Sequence, residues 1–350
     1  MSLQAEVALA LGTLELEATL EAGSGETVAL VGRNGAGKTT TLLALAGLLP
    51  LERGRIVLDG EVLEDVASDR RVPAEERRVG LLFQDYLLFE HMSVVDNVAF
   101  GLRARRVARR KALRRASEWL ERVDLTGYAH QRPGSLSGGQ KQRAALARVL
   151  VTDPKLLLLD EPLAAIDAMA RGPLRRSLLG HLNGFEGSRM VVTHDVVEAV
   201  LLGDRMVVLD DGRVVQSGTA EQLRARPRTP YVAELFGLNL WRGRAGGGVV
   251  TLASGAELVV PGAPSGDVLL SVSPKAVALH ALRPHGSPRN AWRGTVASVE
   301  PYDDVFRVRI EGAVPVTALV TRAAVAELGL AAGAEAWAAV KATEISAYPA

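Results

Sequence analysis

Apolar and polar residues change rhythm several times along the 350 residues. Leu14, Leu16 and Ala18 alternate with glutamates, and Glu21-Ala22-Gly23-Ser24-Gly25-Glu26 reads as a turn, so residues 3–31 are expected to form short strands. An apolar run, Thr27–Val31, leads through a glycine-rich stretch into a helical pattern from Thr40, carried by Leu42, Leu43, Leu45, Ala46, Leu48 and Leu49 and closed by Pro50. Arg55–Leu58 is a strand turning at Asp59-Gly60, and Val79–Phe83 is a buried strand ending at Gln84. From about Tyr86 to Val149 the pattern is helical and basic, with a helix expected over Lys141–Leu150. Leu156–Leu159 is a fully apolar strand ending in Asp160 and Glu161, and Met190–Thr193 ends at His194. Met206–Leu209 with Asp210-Asp211-Gly212-Arg213 predicts a hairpin at the sheet edge. Alternating strands and helices predict an α/β domain with a largely parallel sheet, whose ligand lies at the C-terminal ends of the strands.

Near residue 236 helical patterns give way to short strands and to Gly246-Gly247-Gly248, Pro261-Gly262-Ala263-Pro264 and His285-Gly286-Ser287-Pro288. Phe306, Val308 and Ile310 alternate with Arg307, Arg309 and Glu311, a half-buried strand. The organisation expected is an α/β domain over 1–235, with a helical subdomain at about 86–150, and a small barrel-like β domain over 236–350.

Composition narrows the classes. With 41 Lys+Arg against 40 Asp+Glu the net charge is +1, which supplies no global field for nucleic acid. There is no cysteine, so disulfides and thiolate metal sites are excluded. The first residues lack the basic start and apolar core of a signal peptide, and no apolar run reaches the roughly 20 residues that cross a bilayer. A membrane role therefore requires a partner. The run Arg103, Arg105, Arg106, Arg109, Arg110, Lys111, Arg114, Arg115 reads as the solvated face of an amphipathic helix, the alternative being contact with anionic lipid or a partner.

Gly32-Arg33-Asn34-Gly35-Ala36-Gly37-Lys38-Thr39 has the spacing G-x-x-x-x-G-K-T between a strand and a helix. The glycines let successive backbone N–H groups turn toward a phosphate chain, and the helix start at Thr39-Thr40 adds its positive dipole end. Lys38 would reach the terminal phosphates, and the Thr39 hydroxyl would ligate Mg²⁺. Asp160, aimed at the same place by its buried strand, would hold Mg²⁺ directly or through water.

This loop, Gln84, Leu136-Ser137-Gly138-Gly139-Gln140, Asp160-Glu161, Asp167 and His194 follow one another as in the ATP-binding-cassette ATPases, which the first two thirds of the chain resembles. The resemblance implies a P-loop ATPase fold with a helical subdomain, ATP as substrate and Mg²⁺ as cofactor. Glu161 resembles the general base that polarises the attacking water, and His194 the histidine that contacts the γ-phosphate and orients that water. Gln84 resembles the residue that senses Mg²⁺ and γ-phosphate and links them to the transmembrane partner. Ser137, Gly138, Gly139 and Gln140 are implied to cover the γ-phosphate of the opposite subunit, which makes a second copy of the chain a head-to-tail partner with two ATP between them. Asp167, in Ala164-Ala165-Ile166-Asp167, resembles the dimer-contact loop, though not in its commonest Ser-Ala-Leu-Asp form. The family usually stacks adenine on an aromatic residue before the phosphate loop; here the first aromatic is Phe83, so weak discrimination between ATP and GTP is expected.

Ser287-Pro288-Arg289-Asn290 resembles the Ser-Ala-Arg-Asn start of molybdate-binding barrel modules, here over about 286–350, with Pro288 where alanine is usual. Leu319-Val320-Thr321-Arg322, Glu327–Leu330 and Val340-Lys341-Ala342-Thr343 resemble the module's later motifs. The resemblance implies an OB-like barrel that dimerises and takes molybdate or tungstate between two protomers through Ser287, Arg289, Asn290, Thr321, Lys341 and Ala342. It implies an importer subunit on the cytoplasmic face of the membrane, held by a permease and served indirectly by a periplasmic or extracellular binding protein, with no nucleic-acid partner. Bound anion would slow uptake as feedback. The alternatives are an importer ATPase for sulfate, ferric iron, sugar or polyamine, or a soluble non-transport ATPase of the same kind.

Overall fold

The computed structural model describes residues 2–163, 178–180, 182 and 184–350. Two compact units divide the chain, residues 1–220 and 221–350.

In the first unit the elements are β1 (Leu3–Leu11), β2 (Leu14–Ala22), β3 (Thr27–Gly32), α1 (Lys38–Ala46), β4 (Arg53–Leu58), β5 (Glu61–Asp65), β6 (Arg70–Arg71), β7 (Val79–Leu82), α2 (Val94–Ala104), α3 (Arg109–Arg122), α4 (Gly138–Leu150), β8 (Leu156–Asp160), β9 (Ser188–Thr193), α5 (Val196–Leu202), β10 (Arg205–Asp210) and β11 (Arg213–Gly218). They build one 11-stranded sheet in the order β6-β5-β4-β1-β2-β11-β10-β3-β9-β8-β7. β7, β8, β9, β3 and β10 run parallel, whereas β1, β2, β4, β5 and β6 pair antiparallel. The sheet is thus mixed rather than largely parallel. The β10–β11 hairpin does form, but it sits mid-sheet, not at an edge, because Arg213 bridges Glu17 of β2. Gly212, at φ +75°, permits this: a Cβ there would lie 2.0 Å from the Glu15 carbonyl oxygen.

β3, β8 and β9 are buried along their whole length, and each fully buried leucine of β8 contributes roughly 2 kcal/mol by leaving water. α1 stops at Ala46, short of Pro50, because Gly47 takes the left-handed conformation and its N–H caps the last turn, leaving Leu48 half exposed. α2, α3 and α4 share their own apolar cluster, including Val98, Leu120 and Leu136, which makes the helical subdomain. The basic run is exposed on the α2–α3 turn and the outer face of α3 while Ala112, Ala116 and Leu120 are buried. Among the described residues no helix is long and apolar enough to cross a membrane.

The second unit carries α6 (Ala220–Ala225), α7 (Pro230–Leu235), β12 (Asn239–Gly246), β13 (Val249–Leu252), β14 (Glu257–Val259), β15 (Gly266–Val272), β16 (Ala278–His280), β17 (Asn290–Tyr302), β18 (Val305–Glu311), β19 (Val316–Val320), α8 (Arg322–Glu327), β20 (Glu335–Val340) and β21 (Ser346–Pro349), α6 opening at the junction. Its two five-stranded sheets, β14-β13-β12-β15-β21 and β16-β20-β17-β18-β19, close on one core that includes Trp241, Val268, Leu270, Val308 and Ile310. The unit begins earlier than residue 236 because the segment before α7 is tied to the last strand: Tyr348 Oη donates to the Pro227 carbonyl at 2.7 Å and Arg228 to that of Pro349 at 2.9 Å.

Candidate nucleotide and anion sites

Parallel register brings the ends of four strands to one edge. Leu82 pairs with Leu159, Leu159 with Val191, Asp160 with Val192, and Thr193 with Val31. Gln84, Asp160-Glu161, His194 and the loop after Gly32 therefore leave the sheet side by side.

The loop 32–37 is curled by Gly35 at φ +82° and Gly37 at φ +100°, with Ala36 N–H donating to the Arg33 carbonyl at 3.1 Å. Arg33, Asn34 and Gly35 are exposed, Ala36 and Gly37 buried, and Thr40 faces inward. Lys38 is buried; its Nζ donates to the carbonyls of Gly32 at 2.8 Å and Arg33 at 2.9 Å, which places the ammonium inside the loop. Burial pushes the Lys38 ammonium below its usual range, and the carboxylates of Glu161 and Asp160 oppose that fall.

Thr39 Oγ1 lies 3.3 Å from Asp160 Oδ1. Burial pushes the Asp160 carboxyl up, the Thr39 hydroxyl opposes this, Glu161 adds to it and Lys38 counters it. An under-compensated carboxylate beside a hydroxyl suits a hard divalent cation that takes its other ligands from water and phosphate. Among the described residues no group of three or more His, Cys, Asp or Glu is arranged to hold a metal ion.

His194 Nδ1 lies 3.2 Å from Glu161 Oε1, the histidine 56% exposed and the glutamate 16%. The histidine's loop is fixed from behind. Thr193 Oγ1 donates to the buried Glu198 carboxylate at 2.9 Å and accepts from Asp195 N–H at 3.0 Å, while Asp195 caps α5. Glu198 was not singled out in the sequence, although Asp195-Val196-Val197-Glu198 carries the spacing of a capped helix start. Gln84 is exposed at the end of β7.

Ser137 caps α4, which starts at Gly138 rather than Lys141. A capping box closes it, with Gln140 N–H to Ser137 Oγ at 3.4 Å and Ser137 N–H to Gln140 Oε1 at 2.8 Å. Ser137 and Gly138 are exposed, so the positive end of a 13-residue helix meets solvent. Gln140 spends its side-chain oxygen on the cap. Asp167 lies outside the described residues.

A groove of about 1050 Å³ runs between the sheet edge and the helical subdomain, lined among others by Phe83, Phe89, Phe100, Arg105 and Arg148.

In the second unit the anion candidates divide. Asn290 pairs with Val340, so Arg289 and Lys341 flank the last rung of the β17–β20 ladder, and Ser287, Arg289 and Lys341 are exposed, with Ala342 half buried. The Asn290 side chain is not free for an anion: it is buried, accepts from Val259 N–H at 2.6 Å and donates to the Val259 carbonyl at 2.9 Å, binding β17 to β14. Thr321 caps α8 beyond Val320, which pairs with Phe306, opposite Pro301 at the far end of β17. Arg289 and Thr321 thus lie at opposite ends of β17, which at about 3.3 Å per residue is roughly 40 Å along the strand.

Comparison with known proteins places these sites in context. The family profile described as ABC transporter matches residues 16–164, and that of the TOBE domain residues 286–347. The chain is 39% identical over 349 residues to a molybdenum import ATP-binding protein of Mycobacterium tuberculosis H37Rv, covering 96% of this chain and 94% of that one. It is 35% identical to a molybdate/tungstate import ATP-binding protein of Pyrococcus abyssi, covering 91% of each. Over 234 residues, 65% of this chain and 66% of the other, it is 48% identical to a sulfate/thiosulfate import ATP-binding protein of Methylococcus capsulatus. Among solved structures, a dimeric ATP-binding cassette in a post-hydrolysis state with ADP and Pi superposes with TM-score 0.51 at 28% identity, over 63% of this chain and 98% of that one.

Proposed function

The chain belongs to the ABC transporter family as the ATP-hydrolysing subunit of an importer, and from that premise we propose that its cargo is a tetrahedral oxyanion, molybdate or tungstate, moved through a separate membrane permease. The observation that carries the catalytic part is the common edge of Lys38, Asp160, Glu161 and His194. Glu161 accepts a proton from the attacking water, and His194, 3.2 Å away, holds that water's other side. Lys38 places its charge against the terminal phosphates from within the loop. When bound, Mg²⁺ would be held by Thr39 and Asp160, with Gln84 near it, and supplies neutralisation of phosphate charge. Ser137, Gly138 and Gly139 meet the γ-phosphate of a second copy in a head-to-tail dimer, and Asp167 belongs to that contact. The groove beside Phe89 and Phe100 receives the permease, which holds this chain at the cytoplasmic face of the membrane.

The cargo reading is supported by likeness along nearly the whole chain to molybdenum and molybdate/tungstate import subunits. A cationic pair, Arg289 and Lys341, beside exposed Ser287 suits a dianion, with Thr321 supplied by a second protomer because one chain holds it too far away. Anion bound there holds the cassettes apart and slows uptake. The test is radiolabelled molybdate, tungstate and sulfate uptake in cells whose own copy is replaced by wild type or Glu161→Gln. Molybdate or tungstate uptake lost with Glu161→Gln while sulfate uptake is unaffected is expected; loss of sulfate uptake alone would assign the cargo to the sulfate class.

A further inference from the structure

Gln142 sits one turn inside α4 and is 3% exposed. Its Nε2 donates to the Pro162 carbonyl at 2.8 Å, while its Oε1 is buried with no hydrogen-bond partner among the described residues. Leaving a buried amide oxygen unpaired is destabilising. Packing alone gives no reason for a glutamine where methionine or leucine would fill the same space.

The one bond Gln142 makes falls just after Glu161. On the other side, Glu161 N–H donates to the Val192 carbonyl at 2.9 Å. Between these two anchors Glu161 is left-handed, at φ +43°, a conformation that is unfavourable for a non-glycine residue and that the following proline disfavours further. Such strain persists only where the surroundings fix it, and it concentrates at working sites. A second donor reaches the same carbonyl: Tyr86 Oη, buried, at 3.4 Å. Tyr86 and Leu87 are themselves left-handed, at φ +61° and +43°, and both their carbonyls are gripped at 2.7 Å by Arg148, two turns further along α4. One helix thus holds the backbone on both approaches to the edge, after Gln84 and after Glu161. The same helix is capped by Ser137.

We infer that Gln142 is a positioning residue for Glu161: through the Pro162 carbonyl it holds the strained backbone that points the Glu161 carboxylate at His194, and it ties that carboxylate to the anion-binding end of α4. This rests on the head-to-tail arrangement proposed above, in which Ser137 faces the nucleotide held by the second copy. Engagement of that phosphate shifts α4, and Gln142 passes the shift to the base of the chain's own site. Each site's chemistry then depends on the other's occupancy.

The test uses full-length protein, Gln142→Met and Tyr86→Phe. Methionine keeps the volume, loses the donor and removes the unpaired oxygen, so thermal unfolding of Gln142→Met is expected to stay within about 2 °C of wild type. The expected result is kcat for ATP reduced about 10-fold with KM unchanged and the Hill coefficient of hydrolysis lowered toward one, a loss confined to the chemical step. Tyr86→Phe is expected to move the same quantities less, and it decides by the same criteria if Gln142→Met does not fold. A folded variant with unaltered kcat and Hill coefficient overturns the inference, and so does a kcat that falls only in step with thermal stability. Failure of the underlying reading shows separately, as a wild-type chain that neither hydrolyses ATP nor dimerises.

Discussion

Replacing Arg77 by methionine should unfold the first unit at a markedly lower temperature. Arg77 is 0% exposed and spends its guanidinium on four acceptors: Glu64 Oε2 at 2.5 Å, the Val72 carbonyl at 2.9 Å and the carbonyls of Ala44 and Leu45 at 3.2 Å each. The last two belong to the final turn of α1, so the cation meets the negative end of the helix that opens at the phosphate loop. Arg77→Met strands the Glu64 carboxylate, itself 3% exposed, with only the Leu51 N–H at 2.9 Å and Arg71 at 3.9 Å. Removing one partner of a buried ion pair costs about 3–5 kcal/mol. At about 2–4 °C per kcal/mol for a unit of this size, the transition should fall by roughly 10 °C. Adding Glu64→Leu removes the stranded charge, so the double variant should regain most of the loss. Scanning calorimetry on wild type, both single variants and the double closes the cycle. A fall under about 2 °C, or a double variant no more stable than Arg77→Met, would mean that the buried pair does not hold the unit together in this way.

Burial holds the Asp160 carboxyl above its usual range, so the folded chain binds that proton more tightly than the unfolded chain. The Asp160 contribution to nucleotide-free stability should therefore decline as pH rises from about 4, so in denaturant titrations wild type should lose stability relative to Asp160→Asn over that range; Asp160→Asn should also lower ATP hydrolysis at least about 100-fold. No aromatic residue precedes Phe83, and Leu14 and Leu16 lie against Gly37 of the phosphate loop, so GTP should be hydrolysed with kcat/KM within several-fold of ATP; a strong ATP preference in a competition assay contradicts this. Trp292, whose indole donates to the Val314 carbonyl at 2.8 Å and meets Trp241 edge-on at 6.1 Å, lies two residues from Asn290. Molybdate and tungstate, but not sulfate, should quench the full-length chain's tryptophan emission saturably, and no change at millimolar anion would leave the β unit a dimerisation device.

The shared edge of the candidate residues was legible because its parts are local: each strand carries its candidate at its own C-terminal end, and parallel pairing brings them together. The phosphate loop, Asp160-Glu161 and His194 could be read without knowing which strand neighbours which. The position of the β10–β11 hairpin could not, since it depends on Gly212 meeting Glu15 across almost the whole first unit. Asn290 shows the reverse limit. Its place in a familiar motif points outward to an anion, yet the fold gives both polar ends of its amide to Val259. Gln142, Tyr86 and Arg148 were silent in sequence because their partners are backbone carbonyls that no residue pattern announces. Asp195-Val196-Val197-Glu198 marks a helix start by its spacing, but the burial of Glu198 against Thr193 is a tertiary contact which that spacing does not announce.

The most direct measurement takes Glu161→Gln with MgATP through size-exclusion chromatography with light scattering, alongside phosphate release. Hydrolysis lowered at least about 100-fold is expected, with a stable dimer of the full chain retaining two ATP, dispersed when Mg²⁺ is chelated. Sustained hydrolysis would contradict the assignment of Glu161 as the base, and a monomer that binds ATP without pairing would contradict the shared site.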